Sequence, residues 1–240
     1  MPPPSIDELA APLAERLRCG GEWRLVSSAF GEEVAALPHA EHGQWSRRHS
    51  HAHPYREVLI PLAGECPFGW RGRVFPCRPG ILFLCEGGEP HDLQYPPPPR
   101  PLLHLWLSLS PGDCLGSVIW IGERMVPLWR VHIPGPANEM WDRAREETEP
   151  EVARQRVHAA LYLVLAEIAD QARHPEQAAA TAREECVRIA RRLLDQAHGC
   201  GLDLAALARA TGYSKFHFHR LFREQTGQTV HQYADQRRRA

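Results

Sequence analysis

Long apolar runs are missing from this sequence of 240 residues, and their absence argues against a membrane-spanning or secreted protein. No run reaches the roughly 18 apolar residues that would predict a membrane-spanning helix. The N-terminal stretch, MPPPSIDELAAPLAERL, carries acids and prolines where a secretory signal would carry basic and then apolar residues. These absences predict a cytoplasmic protein without a membrane span.

Paired cysteines are missing as well. The seven cysteines form no C-x-x-C pair and are odd in number, at positions 19, 66, 77, 85, 114, 186 and 200. In a chain that is not secreted, this pattern is typical of free thiols. It gives no support to a disulfide scaffold or a zinc ribbon.

A strong excess of one charge is also absent, because the net charge of the whole chain is −1. The charges are unevenly distributed, however. Residues 183–240 hold 11 Lys and Arg but 6 Asp and Glu, whereas residues 1–182 hold 17 and 23. An acidic body with a basic C-terminal segment is typical of a nucleic-acid-binding module joined to a domain of another kind. A solvated charged helix would give the same count.

The pattern of apolar residues changes along the chain and predicts an α+β protein. Short apolar runs such as EVLIPL and GILFLC alternate with Gly and Pro in the first half, which is typical of an all-β barrel or sandwich. Helical periodicity begins near residue 137. The predicted segments are an N-terminal helix (1–21), a cupin-like sensor barrel (22–110), a connecting and helical dimerisation segment (111–175), a linker (174–181) and a final set of helices (182–240).

The helix predicted after Pro150 carries a single apolar stripe. Its members are Val157, Leu161, Val164, Leu165 and Ile168. The stripe could pack on the barrel or hold a dimer together, and the sequence leaves both alternatives open.

Residues 204–223, LAALARATGYSKFHFHRLFR, predict a helix-turn-helix. Ala208 supplies the small residue that two steeply crossing helices need at their contact, and Gly212 accepts the positive φ of a tight turn. Ser214 stands where it would cap the second helix. The outer face of that helix is basic and aromatic, as a DNA-binding face would be: Lys215, Phe216, His217, His219, Arg220 and Arg223.

The string GYSKFHFHRLFREQTGQT, followed by Tyr233 and an arginine-rich helix, resembles the first DNA-binding subdomain of AraC/XylS-family transcription regulators. The resemblance implies that the helix contacts bases of double-stranded DNA through Phe216, His219 and Arg220. It implies phosphate contacts for Lys215 and Arg223. Members of this family usually carry two such subdomains, and the second is absent from this chain, so we expect binding as a homodimer.

A second resemblance is to the cupins. His51, His53, Glu57 and Gly64 have the spacing H-x-H-x3-E-x6-G of the first cupin motif. Alternate residues of a strand face the same side, so the two histidines and the carboxylate are expected to point into the barrel.

A degraded form of the second cupin motif follows, in which His91 keeps its place and Tyr95 stands where the family has asparagine. In metal-binding cupins the matching residues are ligands. The resemblance therefore implies a divalent metal ion, Zn, Fe, Mn or Ni, held by His51, His53, Glu57 and His91. AraC-family sensor domains also keep this pattern as barrel architecture, or as polar groups that bind a sugar or an acid, and the ligand-binding residues would then include Tyr95. Both alternatives stay open.

These features predict a ligand-responsive, DNA-binding transcription regulator with no catalytic residues, in which residues 214–225 bind the operator. An alternative from another class is a metal-dependent cupin enzyme, of dioxygenase or isomerase type, with a helical appendage. A third alternative is a degenerate paralogue that dimerises without binding DNA. The basic helix favours the regulator, because an enzyme has no need for it.

Overall fold

The computed structural model describes residues 8, 23–38, 42–53, 55–93, 101–110, 113–123, 125–133, 135–201, 204–211 and 213–239. The chain divides into two compact units, Met1–Pro175 and Glu176–Ala240. The helix predicted over 1–21 lies outside the described residues except at Glu8, which is helical. Within the described part of the chain, no helix is both long and apolar enough to cross a membrane.

The N-terminal unit is built mainly from short strands, which coincide with the apolar runs between Gly and Pro turns. The strands are β1 (Arg24–Ser27), β2 (Gly31–Glu32), β3 (Arg56–Ala63), β4 (Cys66–Trp70), β5 (Arg73–Cys77), β6 (Ile81–Cys85), β7 (His91–Leu93), β8 (Leu102–Ser110), β9 (Asp113–Ile121) and β10 (Met125–Ile133). The helices in this unit are α1 (His42–His49), α2 (Gly135–Glu146) and α3 (Pro150–Gln171).

The strands form two sheets. Seven of them lie in the order β10-β9-β8-β3-β6-β1-β2, and three lie in the order β5-β4-β7. Their pairings are antiparallel except for that of β1 with β6. The predicted α+β class is confirmed. The sheets do not close into a barrel within the described residues, so the cupin-like domain consists of two open sheets.

The seven-stranded sheet extends past the boundary expected at residue 110. β9 pairs with β8 along its whole length, and β10 pairs with β9. The segment 111–175, expected to be connecting and helical, therefore begins with two strands. The physical reason is the alternation in β10, where Trp129, Val131 and Ile133 are buried between more exposed neighbours.

The seven-stranded sheet has a core on each face, because successive side chains of a strand point to opposite sides. In β8, Leu103, Leu105 and Leu107 belong to a first core that includes residues of α2 and α3. Leu102 and Trp106 of the same strand belong to a second core, shared with β4 and β5 of the three-stranded sheet. The second core thus fills the space between the two sheets.

The apolar stripe of α3 belongs to the first core. Its five members are buried within the single chain: Val157, Leu161, Val164, Leu165 and Ile168. A stripe that held a dimer together would be exposed in a single chain, so the structure supports packing on the sheet. The other alternative, a dimer contact at this stripe, is not supported.

Helices make up the rest of the chain: α4 (Pro175–Gln196), α5 (Leu204–Ala210), α6 (Lys215–Thr226) and α7 (Val230–Arg239). The linker predicted over 174–181 is wrong, because α4 begins at Pro175 and continues through it. Proline suits the first turn of a helix, and the alanines that follow are strong helix formers. Ala178 and Ala182 are buried, which stabilises this part of the helix.

Candidate functional site

Four side chains predicted as ligands meet between the two sheets. His91 lies on β7 of the three-stranded sheet, and Glu57 lies on β3 of the seven-stranded sheet. His51 pairs with His91 through two backbone hydrogen bonds, of 3.0 Å from His51 N to His91 O and 2.9 Å from His91 N to His51 O. His53 follows two residues later. We call these four residues the His–Glu cluster.

Glu57 contacts two histidines of the His–Glu cluster, His91 and His53. Its Oε2 lies 3.1 Å from His91 Nε2 and 3.6 Å from His53 Nε2. The ring centroids of His51 and His91 are 4.6 Å apart. One nitrogen from each of the three imidazoles lies within 4.8 Å of the other two. The three imidazoles therefore converge on one small volume, and Glu57 joins them through His91 and His53.

Two polar atoms of the cluster are left without a hydrogen bond. Glu57 Oε2 and His91 Nε2 are buried, and neither makes an aligned hydrogen bond with any described residue, although they lie 3.1 Å apart. While the imidazole is neutral, both atoms are acceptors, and a buried acceptor in this state costs about 1–3 kcal/mol. A cation or a polar ligand bound between these atoms would remove that cost.

The backbone fixes the protonation pattern of His91. Its Nδ1 lies 3.0 Å from the carbonyl oxygen of Glu89 and must be the donor, since a carbonyl oxygen only accepts. In the neutral ring, Nε2 then carries the lone pair beside Glu57. Burial lowers the pKa of His91, but the contact with Glu57, the charge of Glu57 and smaller contributions from the Glu89 carbonyl and Asp92 outweigh it. The pKa of His91 therefore lies above its ordinary value.

This set of donor atoms fits two kinds of ligand. Imidazole nitrogens with one carboxylate suit a divalent transition-metal ion. The same groups would hydrogen-bond an anionic or hydroxylated small molecule. His51 is exposed whereas His91 is 2% exposed, so the cluster is open to solvent on the side of His51. Tyr95, predicted as a further ligand-binding residue, lies outside the described residues.

Aromatic rings around the cluster were not identified from the sequence. The ring centroids of Phe68 and Trp106 lie 6.1 Å and 6.3 Å from that of His91. Tyr55 stacks on His53 with centroids 4.9 Å apart. The alternation of β8 could have placed Trp106 on the inner face. Phe68 could not have been found without knowing that β4 pairs with β7.

The predicted helix-turn-helix is formed by α5 and α6. Ser214 caps α6, and its side-chain oxygen accepts a hydrogen bond of 3.3 Å from the His217 amide. Ala208 is 2% exposed, as a small residue at a helix contact would be. Gly212 lies outside the described residues. The inner face of α6 is apolar and buried, and its residues are Phe218, Leu221 and Phe222.

The outer face of α6 combines positive charge with one large apolar ring. Phe216 is 88% exposed. Lys215, Arg220 and Arg223 are exposed on the same helix, and His219 is half-buried. These five residues and the cap are the ones that the sequence predicted for contact with DNA.

His217 and Arg220 differ in how firmly they are held. His217 was expected on the outer face, but it is half-buried and its ring stacks on Tyr213 with centroids 5.0 Å apart. Arg220 makes an exposed ion pair with Glu224, with Nε and Oε1 separated by 3.7 Å. Exposed pairs of this kind contribute at most about 1 kcal/mol, so Arg220 is available to another partner.

Residues of α4 and α7 stabilise the helix-turn-helix. The rings of Phe222 and Tyr233 pack edge to face with centroids 5.7 Å apart. The Tyr233 hydroxyl donates to Asp195 at 3.0 Å, and Arg237 pairs with the same carboxylate at 2.6 Å. Gly199 has a φ of 71°, and a Cβ there would collide with the Ala234 carbonyl oxygen, so α7 packs closely against this turn.

Two family models match the chain. One, described as "AraC-like ligand binding domain", matches residues 33–211. The other, described as "Bacterial regulatory helix-turn-helix proteins, AraC family", matches residues 200–234. The first includes the His–Glu cluster, and the second includes α5 and α6. Searches of curated proteins and of solved structures gave no significant match.

Proposed function

This chain belongs to the AraC family of ligand-responsive, DNA-binding regulators, and from that premise we propose which residues bind DNA and which bind the effector. The main support for the proposal is the exposed outer face of α6. It presents a phenyl ring that is 88% exposed together with basic side chains. An aromatic ring that solvent surrounds on a basic helix is typical of a surface that becomes buried on binding.

In this proposal α6 enters the major groove. Arg220 donates two hydrogen bonds to guanine O6 and N7, and Phe216 contacts a thymine methyl group. His219, which is half-buried, reaches a base edge beside them. Lys215 and Arg223 bind phosphates and set the position of the helix on the duplex. Ser214 fixes the start of the helix, where the backbone amides favour a phosphate.

The His–Glu cluster is the proposed effector site. The unsatisfied Glu57 Oε2 and His91 Nε2 support it, because they favour a ligand that supplies positive charge or hydrogen bonds. A divalent metal ion (Zn, Fe, Mn or Ni) would be held by His51, His53, Glu57 and His91 and would act as the signal. A small polar molecule would use the same four groups. Neither ligand requires catalysis, so we propose a sensing site without enzymatic activity.

We further propose that the chain acts on DNA in the cytoplasm as a homodimer. A single helix-turn-helix buries about 600–1,000 Å², which is little for tight specific binding. Two copies related by a twofold axis would bind two half-sites, whose spacing the dimer then sets. Sedimentation with and without operator DNA tests this: a monomer that binds one isolated half-site tightly at physiological salt would contradict it.

A salt-titrated binding assay tests the proposed function directly. The probe is the DNA upstream of the protein's own gene, compared with random DNA of equal length, with and without Zn(II) or Fe(II). We expect tighter binding to the upstream DNA and a linear fall of log K with log salt.

The matched variants are Phe216→Ala in α6 and Arg188→Ala in α4. Arg188 is exposed and paired with Glu185, so its loss should leave binding unchanged. The Phe216 variant should bind the upstream DNA more weakly. Equal affinity of the wild type for both DNAs, in every metal condition, would rule the proposal out.

A further inference from the structure

Two thiols and an imidazole meet at another place between the sheets. Cys66 and Cys77 stand opposite each other where β4 pairs with β5. One step along the ladder, Pro67 is opposite Pro76. Prolines cannot donate, so theirs is a pair without hydrogen bonds, and the alternation makes Cys66 and Cys77 a hydrogen-bonded pair about 5.5 Å apart at Cα. The hairpin thus presents two thiols side by side.

The imidazole comes from the other sheet. His104 lies on β8, two residues from Leu102 and from Trp106, and those two side chains belong to the core between the sheets. His104 therefore points from the seven-stranded sheet toward the three-stranded one. Its Nε2 lies 3.9 Å from Cys77 Sγ. We call Cys66, Cys77 and His104 the thiol–imidazole cluster.

The spacing of the three donor atoms matches a metal site. Both sulfurs and one imidazole nitrogen lie within 4.8 Å of one another. Bond lengths of about 2.3 Å to sulfur and 2.0 Å to nitrogen place the two ligand atoms about 3.5–3.7 Å apart at tetrahedral or trigonal angles. The observed separation of 3.9 Å needs a shift of only a few tenths of an ångström.

Burial makes these donors unusual. Cys66 is 4% exposed, and Cys77 and His104 are 0% exposed. The Nδ1 atom of His104 has no hydrogen-bond partner among the described residues. Sulfur donors with imidazole select thiophilic metals rather than hard cations.

We propose that Cys66, Cys77 and His104 form a buried site for a thiophilic d10 metal ion, either Zn(II) or Cu(I). Two thiolates balance the charge of Zn(II), whereas a set of three ligands suits Cu(I), which accepts trigonal coordination. The ion would join the β4–β5 hairpin to β8 and so tie the two sheets together.

This site is separate from the His–Glu cluster. Cys66 and Trp70 are the two ends of β4, and Trp70 pairs with His91. The four-residue separation along the strand corresponds to about 13 Å. Phe68 lies between them on the same face. The donor sets also differ, since one site offers sulfur and the other offers nitrogen and oxygen.

Titration of the full chain with Co(II), a spectroscopic substitute for Zn(II), and in parallel with Cu(I) tests the proposal. The protein is kept reduced and free of oxygen. We expect thiolate-to-metal charge-transfer absorption that saturates at one equivalent of metal for at least one of the two ions. The ion that binds with the higher affinity identifies the metal. Charge transfer with neither ion would overturn the proposal.

Variants locate the site. Cys66→Ser and Cys77→Ser should each abolish the charge-transfer band. Cys114→Ser is the matched control, because Cys114 is a buried strand cysteine of the first core, on the other face of the sheet. It should keep the band, as should His51→Ala in the His–Glu cluster. A band that survives Cys66→Ser would overturn the proposal.

X-ray absorption spectroscopy on the wild-type protein tests the site without requiring that the variants fold. One equivalent of bound metal should show two sulfur neighbours and at least one nitrogen neighbour. A shell of nitrogen and oxygen alone would place the ion at the His–Glu cluster and overturn the proposal. Peptide mapping of protein isolated without reductant gives a second check, and a Cys66–Cys77 disulfide there would overturn it as well.

Discussion

The proposed surface for DNA and the proposed site for the effector are assembled in opposite ways. α5 and α6 come from residues 204–226, and their cap, their buried contacts and their outer face depend on near neighbours in the sequence. The His–Glu cluster instead joins His51 to His91, and His91 to Glu57, across two sheets. A local surface can therefore be changed one side chain at a time, whereas the cluster depends on the core that positions the strands.

The largest effect that this difference predicts is on the first core. Leu161→Ala in α3 should lower the free energy of unfolding of the N-terminal unit by about 2–5 kcal/mol, because the side chain is 0% exposed and its loss leaves a cavity. All seven tryptophans lie at residues 23–141, so tryptophan fluorescence during urea unfolding reports on this unit.

The control for this prediction lies two residues away on the same helix. Leu163 is 43% exposed, and Leu163→Ala should change the free energy of unfolding by no more than about 0.5 kcal/mol. Stability that is unchanged in Leu161→Ala, combined with a lost dimer, would restore the stripe as a dimer contact.

The next effect should be confined to DNA binding. Arg220→Ala should weaken operator binding by about 1–3 kcal/mol and relax the preference at one base pair, since a bidentate contact with guanine is lost. Lys215→Ala should weaken binding to all sequences alike and reduce the salt slope by about 1. Fluorescence anisotropy over a salt series, on operator and random DNA, measures both.

The two DNA-binding variants act as controls for each other. Because both side chains are exposed, neither change should alter unfolding of the N-terminal unit. An equal loss of affinity on operator and random DNA for both variants would contradict the separate roles of base and phosphate contact.

The same contrast explains what the sequence could predict. The Ser214 cap depends on residues three apart in the sequence, so it was placed correctly. The closeness of His51 and His53 to His91 was implied only by the resemblance to cupins, because it depends on a bridge between residues 40 positions apart. Strand register of that range cannot be obtained from periodicity.

One alternative that the sequence left open and one error have the same physical origin. The apolar stripe of α3 looks alike whether it meets a sheet or another chain, because periodicity shows which face is buried but not against what. The stretch 174–181 lacks a core pattern of large side chains, but small alanines at positions 178 and 182 are buried. Burial of alanine leaves almost no periodic signal, so the start of α4 was taken for a linker.

A smaller effect is expected at the cap of α6. Ser214→Ala should lower helix and unit stability by about 0.5–2 kcal/mol, since the His217 amide loses its acceptor. Ser214→Asn should retain most of that stability because asparagine caps equally well. Far-UV circular dichroism during thermal unfolding measures the change. Unfolding of the N-terminal unit, followed by tryptophan fluorescence, should be the same in both variants as in the wild type. Equal stability of the alanine and asparagine variants would show that the cap contributes nothing.

The smallest effect is a pH dependence confined to the N-terminal unit. The pKa of His91 is raised above 6.5 in the folded chain, because the contact with Glu57 and its charge outweigh the opposing effect of burial. A group with a raised folded pKa stabilises the fold fully below its unfolded pKa, and that stabilisation is lost as the pH rises through the folded pKa. Metal-free wild type should therefore become easier to unfold as the pH rises above 6.5.

Two variants assign this pH dependence to His91. His91→Gln should lose this decrease in the free energy of unfolding with rising pH, whereas His231→Gln, at an exposed position of α7, should keep it. Urea unfolding followed by tryptophan fluorescence, in the presence of a chelator, measures all three. A slope that is identical in wild type and His91→Gln would show that Glu57 does not hold a proton on His91.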